Sequence, residues 1–329
     1  MAVKRLKIAC AGLGRMGKRH ALNYLDRTPR AQLVAVFTPD PVETEWARKE
    51  LEPVCVTIYS DYDEMLQFPG LEAVVIVTVT AVHAEQSIKA INADRHVFSE
   101  KPLSTSVEVS QAVVDAAAAK PHLKVLCGFS RRFDKSSRDA FRHVDPIGPP
   151  SVFRSQTCDV LDPSGFSVPY AECLAAASLW TTPSTTLISR CAVEPGLRKH
   201  KDVDNDVGIV EFWNDKFACF FCSRMMAAGQ HDITEILGPK GKLVVNGNPM
   251  STLVEVHEPG GVRRELPANY YERFGYAFLT MANEFTAACL SGTPLPLKLA
   301  GAAKALSGGC KYGTEDILRQ HGASDRIDQ

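Results

Sequence analysis

The sequence predicts an α/β fold: a doubly wound parallel sheet first, then an α+β domain with a large, mostly antiparallel open sheet. Three observations carry this. Short β-rich runs alternate with helical patterns over the first 130 of the 329 residues, which requires crossover units and a parallel sheet. Residues 73–79 are a valine-rich run of the kind a strand covered on both faces shows. Beyond the turn-forming cluster Asp145-Pro146-Ile147-Gly148-Pro149-Pro150, strands recur at hairpin spacing. The expected division is residues 1–130 and 131–329.

Taken in order, Leu6–Ala11 reads as a strand, residues 15–25 as a helix opened by glycines, and 33–37 as a second strand. A charged helical stretch follows at 43–51, then strands at 54–59 and 73–79. A helix at 83–93, a strand at His96–Ser99, an alanine-rich helix at 106–120 and a strand at 124–129 complete the first half. In the second half, strands at 207–213 and 216–222 flank Asn214-Asp215 as a two-residue turn. Strands at 233–237, 242–245 and 253–257 continue the pattern, broken by glycines. One amphipathic helix spans 271–290, and a last helix starts at Lys298.

Composition excludes several functions. With 37 basic and 38 acidic side chains, the net charge of −1 offers no field for nucleic acid and no polybasic signal for a membrane. No apolar run approaches the roughly 20 residues that span a bilayer. Of ten cysteines, Cys10, Cys55, Cys127 and Cys219 sit in apolar stretches, as free thiols do. The N-terminus has no signal-peptide core, so a reducing, cytoplasmic compartment is expected. Cys219-Phe220-Phe221-Cys222 has redox or zinc spacing but lacks a second pair, and core packing is the expected role.

Gly12-Leu13-Gly14-Arg15-Met16-Gly17 follows the first strand and opens the first helix. In that context the three glycines serve, in turn, the tight turn, the close approach of backbone to a pyrophosphate, and helix–strand packing. The helix start then offers unpaired N–H groups to the phosphates, with Arg15 and Met16 in the same site. This is a Rossmann dinucleotide fingerprint. An acidic residue at the end of the second strand would select NAD; here Thr38 holds that place and Asp40 lies two residues on. Thr38 suits either NAD or NADP.

The segments Val77-Thr78-Val79-Thr80-Ala81-Val82-His83 and His96-Val97-Phe98-Ser99-Glu100-Lys101-Pro102-Leu103 resemble the glucose–fructose oxidoreductase / inositol dehydrogenase / MocA family. Gly128-Phe129-Ser130-Arg131-Arg132-Phe133, residues 235–243 and Ala282-Asn283-Glu284-Phe285 extend the likeness. Residues 197–205 look closest to fungal inositol 2-dehydrogenase-like members. The resemblance implies hydride transfer between a nicotinamide and a hydroxyl of a cyclitol, sugar or related polyol. It places Lys101 at the reacting hydroxyl as the catalytic residue, where a partly buried lysine serves acid–base work. It assigns Glu100 and Pro102 to the cofactor pocket, often with a cis peptide before that proline, and Thr78 and His83 to the preceding loop. For His83, capping or packing is an equal alternative. It also implies a homo-oligomer built through the open sheet face. Val79 stands where a proline is common, and Asp94 where a glycine is usual.

One part of the family pattern is missing. An active-site helix of the form G-G-x-x-x-D-x-x-x-H-D supplies an Asp and a His beside the lysine. Residues 174–189 contain no carboxylate and no histidine, and Pro183 interrupts any helix. Back-translated and read from the third base of each codon, these residues permit G-G-G-I-F-V-D-Y-S-I-H-D-I-D-L. The Asp is forced, because Trp180 has only TGG and Thr181 begins AC. The coding DNA thus carries the active-site helix in another frame, and the family frame resumes near Ala192. Residues 173–191 are therefore expected to be a loop or irregular helix that disturbs the second domain, and 311–329 also fit poorly. Two alternatives to an active dehydrogenase follow: a catalytically impaired dinucleotide-binding protein, or a tailoring oxidoreductase of secondary metabolism.

Overall fold

The computed structural model describes residues 4–160, 184–192, 205–212 and 215–303. They form two compact units. The first comprises Met1–Phe133 with Tyr276–Leu306, and the second contains Asp134–Gly275. The expected division into 1–130 and 131–329 differs from these units in keeping the last long helix with the second half. The reason is apolar. Phe278, Met281 and Phe285 of the last long helix are buried, and Phe278 and Phe285 meet His20 and Phe98 of the first unit.

In the first unit, β1 (Leu6–Ala11), β2 (Ala31–Phe37), β3 (Thr57–Tyr59), β4 (Ala73–Ile76), β5 (His96–Ser99) and β6 (Val125–Cys127) form one sheet. Every pair is parallel, in the order β3-β2-β1-β4-β5-β6. The order reverses between β1 and β4, which opens a crevice beyond their carboxyl ends. All four residues of β4 are buried, as a strand covered on both faces requires. Helices α1 (Arg15–Leu22), α2 (Pro41–Glu50), α3 (Tyr62–Leu66), α4 (Thr80–Asn92) and α5 (Val107–Ala119) connect the strands. Helix α2 begins at Pro41, earlier than expected, because Asp40 caps it: its Oδ1 accepts from Val42 N at 2.8 Å and Glu43 N at 2.9 Å. The strand expected at 54–59 shortens to β3 because Cys55 takes a left-handed φ of 64°. Asp94 also lies at φ 64°, the conformation for which a glycine is usual.

In the second unit, α6 (Lys135–Arg142) precedes six strands: β7 (Val152–Cys158), β8 (Ser184–Ala192), β9 (Asn205–Phe212), β10 (Lys216–Ser223), β11 (His231–Gly238) and β12 (Gly241–Val245). Their order is β12-β11-β7-β10-β9-β8, antiparallel except for β7 against β10. Phe153, Val210, Ala218, Phe220, Cys222 and Ile236 pack on one face. Phe212 pairs with Lys216, so three residues separate β9 from β10 rather than two, and Asp215 has a φ of 57°. A hairpin, β13 (Glu255–Glu258) and β14 (Gly261–Arg264), leads to α7 (Tyr270–Ser291). The helix expected from Lys298 shows as a helical stretch at 300–303, the end of the described chain.

Irregular structure through residue 191 was expected; instead β8 runs antiparallel to β9, with a register shift between Ser184 and Thr186. The run Thr185-Thr186-Leu187-Ile188 favours extended backbone, and β9 offers an unpaired edge. Residues 173–183, the fungal-like 197–204 and the tail 311–329 lie outside the described residues.

Candidate dinucleotide and active site

The glycine loop is shaped for close approach. Gly12 has a φ of 88°, and a Cβ there would lie 2.6 Å from Val77 O. A Cβ on Gly17 would lie 1.9 Å from Gly12 O, so α1 packs directly on the loop. Gly14 differs: a Cβ there would meet only Glu43 Oε1, at 3.3 Å. Two glycines are demanded by the fold itself, whereas Gly14 keeps a surface open. Gly14 also precedes α1 as its N-cap without a side chain to occupy the first amides, and Arg15 and Met16 form the first turn. A helix start of this kind suits an anion. Cys10 lies beneath the loop, its pKa pushed up to about 12 by burial and then by the charge of Glu43.

Sequence reasoning missed Glu43. Its Oε2 accepts from Thr38 Oγ1 at 2.6 Å and from Leu13 N at 2.9 Å, linking the end of β2 to the glycine loop. Thr38 is buried, and its Oγ1 also accepts from Asp40 N at 3.1 Å. Asp40 is thus committed to capping α2, and the cap fixes the turn that carries Glu43. The only signal available was an acid six residues past the end of β2, in the first turn of α2.

Lys101 follows β5, beside the crevice. Its backbone N donates to Glu100 Oε2 at 3.0 Å, and the Lys101–Pro102 peptide is cis. Buried Glu100 also accepts, through Oε1, from His20 Nε2 at 2.9 Å. His83 is buried between two carbonyls, Nδ1 2.9 Å from Pro102 O and Nε2 3.0 Å from Thr78 O. The Thr78 hydroxyl donates to Gln86 Oε1 at 2.7 Å. Glu100 therefore holds the backbone before Lys101 and His83 the backbone after it. His83 acts by packing and positioning in this arrangement, because both ring nitrogens face backbone.

Likeness to known proteins decides the affiliation. The profile of an oxidoreductase family with an NAD-binding Rossmann fold, Gfo/Idh/MocA, matches residues 6–129. The NAD+-dependent scyllo-inositol 2-dehydrogenase of Bacillus subtilis is 30% identical over 314 residues, 89% of this chain and 88% of that protein. The chain belongs to the Gfo/Idh/MocA family. Myo-inositol 2-dehydrogenase of Thermotoga maritima is 26% identical, covering 88% of this chain and 90% of that protein. A scyllo-inositol dehydrogenase from Lactobacillus casei, solved with NAD(H) and scyllo-inositol bound, matches with a TM-score of 0.89 at 28% identity. That match covers 96% of this chain and 98% of the other. These relatives are bacterial, whereas fungal members were expected from residues 197–205.

The residues of this Gfo/Idh/MocA chain fit NAD. The open surface over Gly14 and the uncapped start of α1 would hold the pyrophosphate, and the β2 end would meet the adenosine ribose. Cys219 and Cys222 form no metal pair: they stand three residues apart on β10, so they face opposite sides of the sheet. Among the described residues, no cluster of His, Cys, Asp and Glu could hold a metal ion, and no helix is long and apolar enough to cross a membrane.

Proposed function

We propose that this protein transfers a hydride between NAD and a carbon-bound hydroxyl of a cyclitol or related polyol, with Lys101 as the catalytic residue. The carrying observation is the placement of Lys101 at the carboxyl end of β5, held on one side by Glu100 and on the other by His83. Bound NAD supplies the hydride acceptor. Lys101 hydrogen-bonds the substrate hydroxyl and takes its proton as the carbon is oxidised. The inositol dehydrogenases among its relatives support the cyclitol class.

A second reading, a dinucleotide-binding protein with impaired catalysis, rests on residues 174–189, which carry neither the Asp nor the His of the active-site helix. One experiment separates the two: purified full-length chain, NAD+, and a panel of inositol isomers, with NADH binding measured in parallel. Turnover that falls at least about 100-fold in Lys101→Met, with NADH binding retained, supports the dehydrogenase. NADH binding without turnover supports the second reading.

We also propose a homo-oligomer through the open sheet. Val207 and Ile209 of β9, Phe217 and Phe221 of β10, and Val244 of β12 are exposed on the face opposite the core. A cytoplasmic location is supported by the free thiols at the seven cysteines whose side chains are described.

A further inference from the structure

We propose that Glu43, on α2, replaces the strand-end acid as the residue that admits NAD and excludes NADP; this rests on the dinucleotide reading above. Thr38 at the end of β2 carries no charge, and Asp40 is consumed by the α2 cap. Glu43 brings a carboxylate to the same place from the next helix. One oxygen, Oε2, is fixed by Thr38 Oγ1 and Leu13 N. The other, Oε1, receives no hydrogen bond among the described residues and lies 3.3 Å from where a Cβ of Gly14 would stand. A half-buried anion with acceptor capacity to spare thus faces the space between the β2 end and the glycine loop. In a doubly wound nucleotide fold that space receives the adenosine ribose. There Oε1 accepts from the ribose 2′-hydroxyl, whereas a 2′-phosphate meets like charge and has no donor to replace the lost hydration. The Thr38 hydroxyl is oriented toward Glu43, so it holds the selecting group instead of being one.

The test is equilibrium titration of NADH and NADPH, by fluorescence enhancement, into the full-length chain and two variants. Wild type should prefer NADH by about 100-fold or more, corresponding to about 2.7 kcal/mol. Glu43→Gln keeps an acceptor for Thr38 and Leu13 but removes the charge. It should bring the preference below about tenfold, mainly by tightening NADPH. Thr38→Asp combined with Glu43→Gln restores the charge at the strand end and should restore the preference. A Glu43→Gln protein that binds NADH normally and still rejects NADPH overturns the assignment of Glu43 alone. Wild type that binds neither nucleotide overturns the cofactor site, and the proposal with it.

Discussion

His20→Ala tests how the glycine-loop helix is tied to the Glu100–Lys101 segment. His20 and Glu100 are 1% and 5% exposed, and Nε2 to Oε1 is 2.9 Å. The ring also meets Phe98 at 5.1 Å and Phe278 at 5.7 Å between centroids. Truncation removes the donor, leaves a buried carboxylate without it, and opens space between two aromatic rings. Leaving a buried acceptor without its donor costs about 1–3 kcal/mol. For a unit of this size that lowers the melting temperature by about 2–12 °C. Glu100→Gln in the same chain removes the charge that needed His20, so the double variant should be more stable than His20→Ala alone. Thermal unfolding of the four proteins measures the coupling. Effects that simply add would show that the two side chains are neighbours without a shared energetic role.

Other perturbations test separate parts of the site. Gly14→Val should abolish NADH fluorescence enhancement with little change in melting temperature, because its Cβ meets only the end of the Glu43 side chain; Gly12→Ala should destabilise the fold, since its Cβ meets Val77 O. Burial holds His96 below the ordinary histidine pKa of about 6.5, and its Nδ1 accepts from Lys124 N. The neutral ring is therefore favoured in the folded chain: its stabilisation is complete above the unfolded value and lost as pH falls through the lower folded one. His96→Gln should flatten the melting-temperature profile below neutrality; an unchanged profile would reject this source. Phe217→Asp with Phe221→Asp should shift the light-scattering mass to the monomer; an unchanged oligomer would exclude the open face. Replacing residues 174–189 by the out-of-frame reading restores an Asp and a His, and should raise turnover at least about 100-fold at equal NADH binding. No rise would remove the frame account as the cause of impairment.

The local sequence determined the first unit well, because its signals are local. Gly12 and Gly17 specify backbone approach directly, and β4 announces its double burial by composition. The Lys101–Pro102 segment was readable from its motif, including the cis peptide. Strands β9 to β13 of the second unit were also legible from alternation, whereas β7 and β14 were not read from the sequence. The parallel pairing of β7 with β10 was not legible, since it joins residues far apart in the chain. Edge strand β8 was missed for a related reason: a threonine-rich run becomes a strand when a neighbouring edge is available to pair with it.

What the sequence alone determined, then, was the α/β class, the glycine loop between β1 and α1, the place of Lys101 after β5 and the absence of an Asp–His pair at 174–189. Each depends on the identity of adjacent residues. Tertiary structure decided the rest. It returned most of α7 to the first unit, spent Asp40 on a helix cap, set His83 between two carbonyls and carried Glu43 to the end of β2. Those outcomes depend on which groups meet in space. A carboxylate five residues along the chain from Thr38 can stand beside the strand end, and only the folded chain places it there.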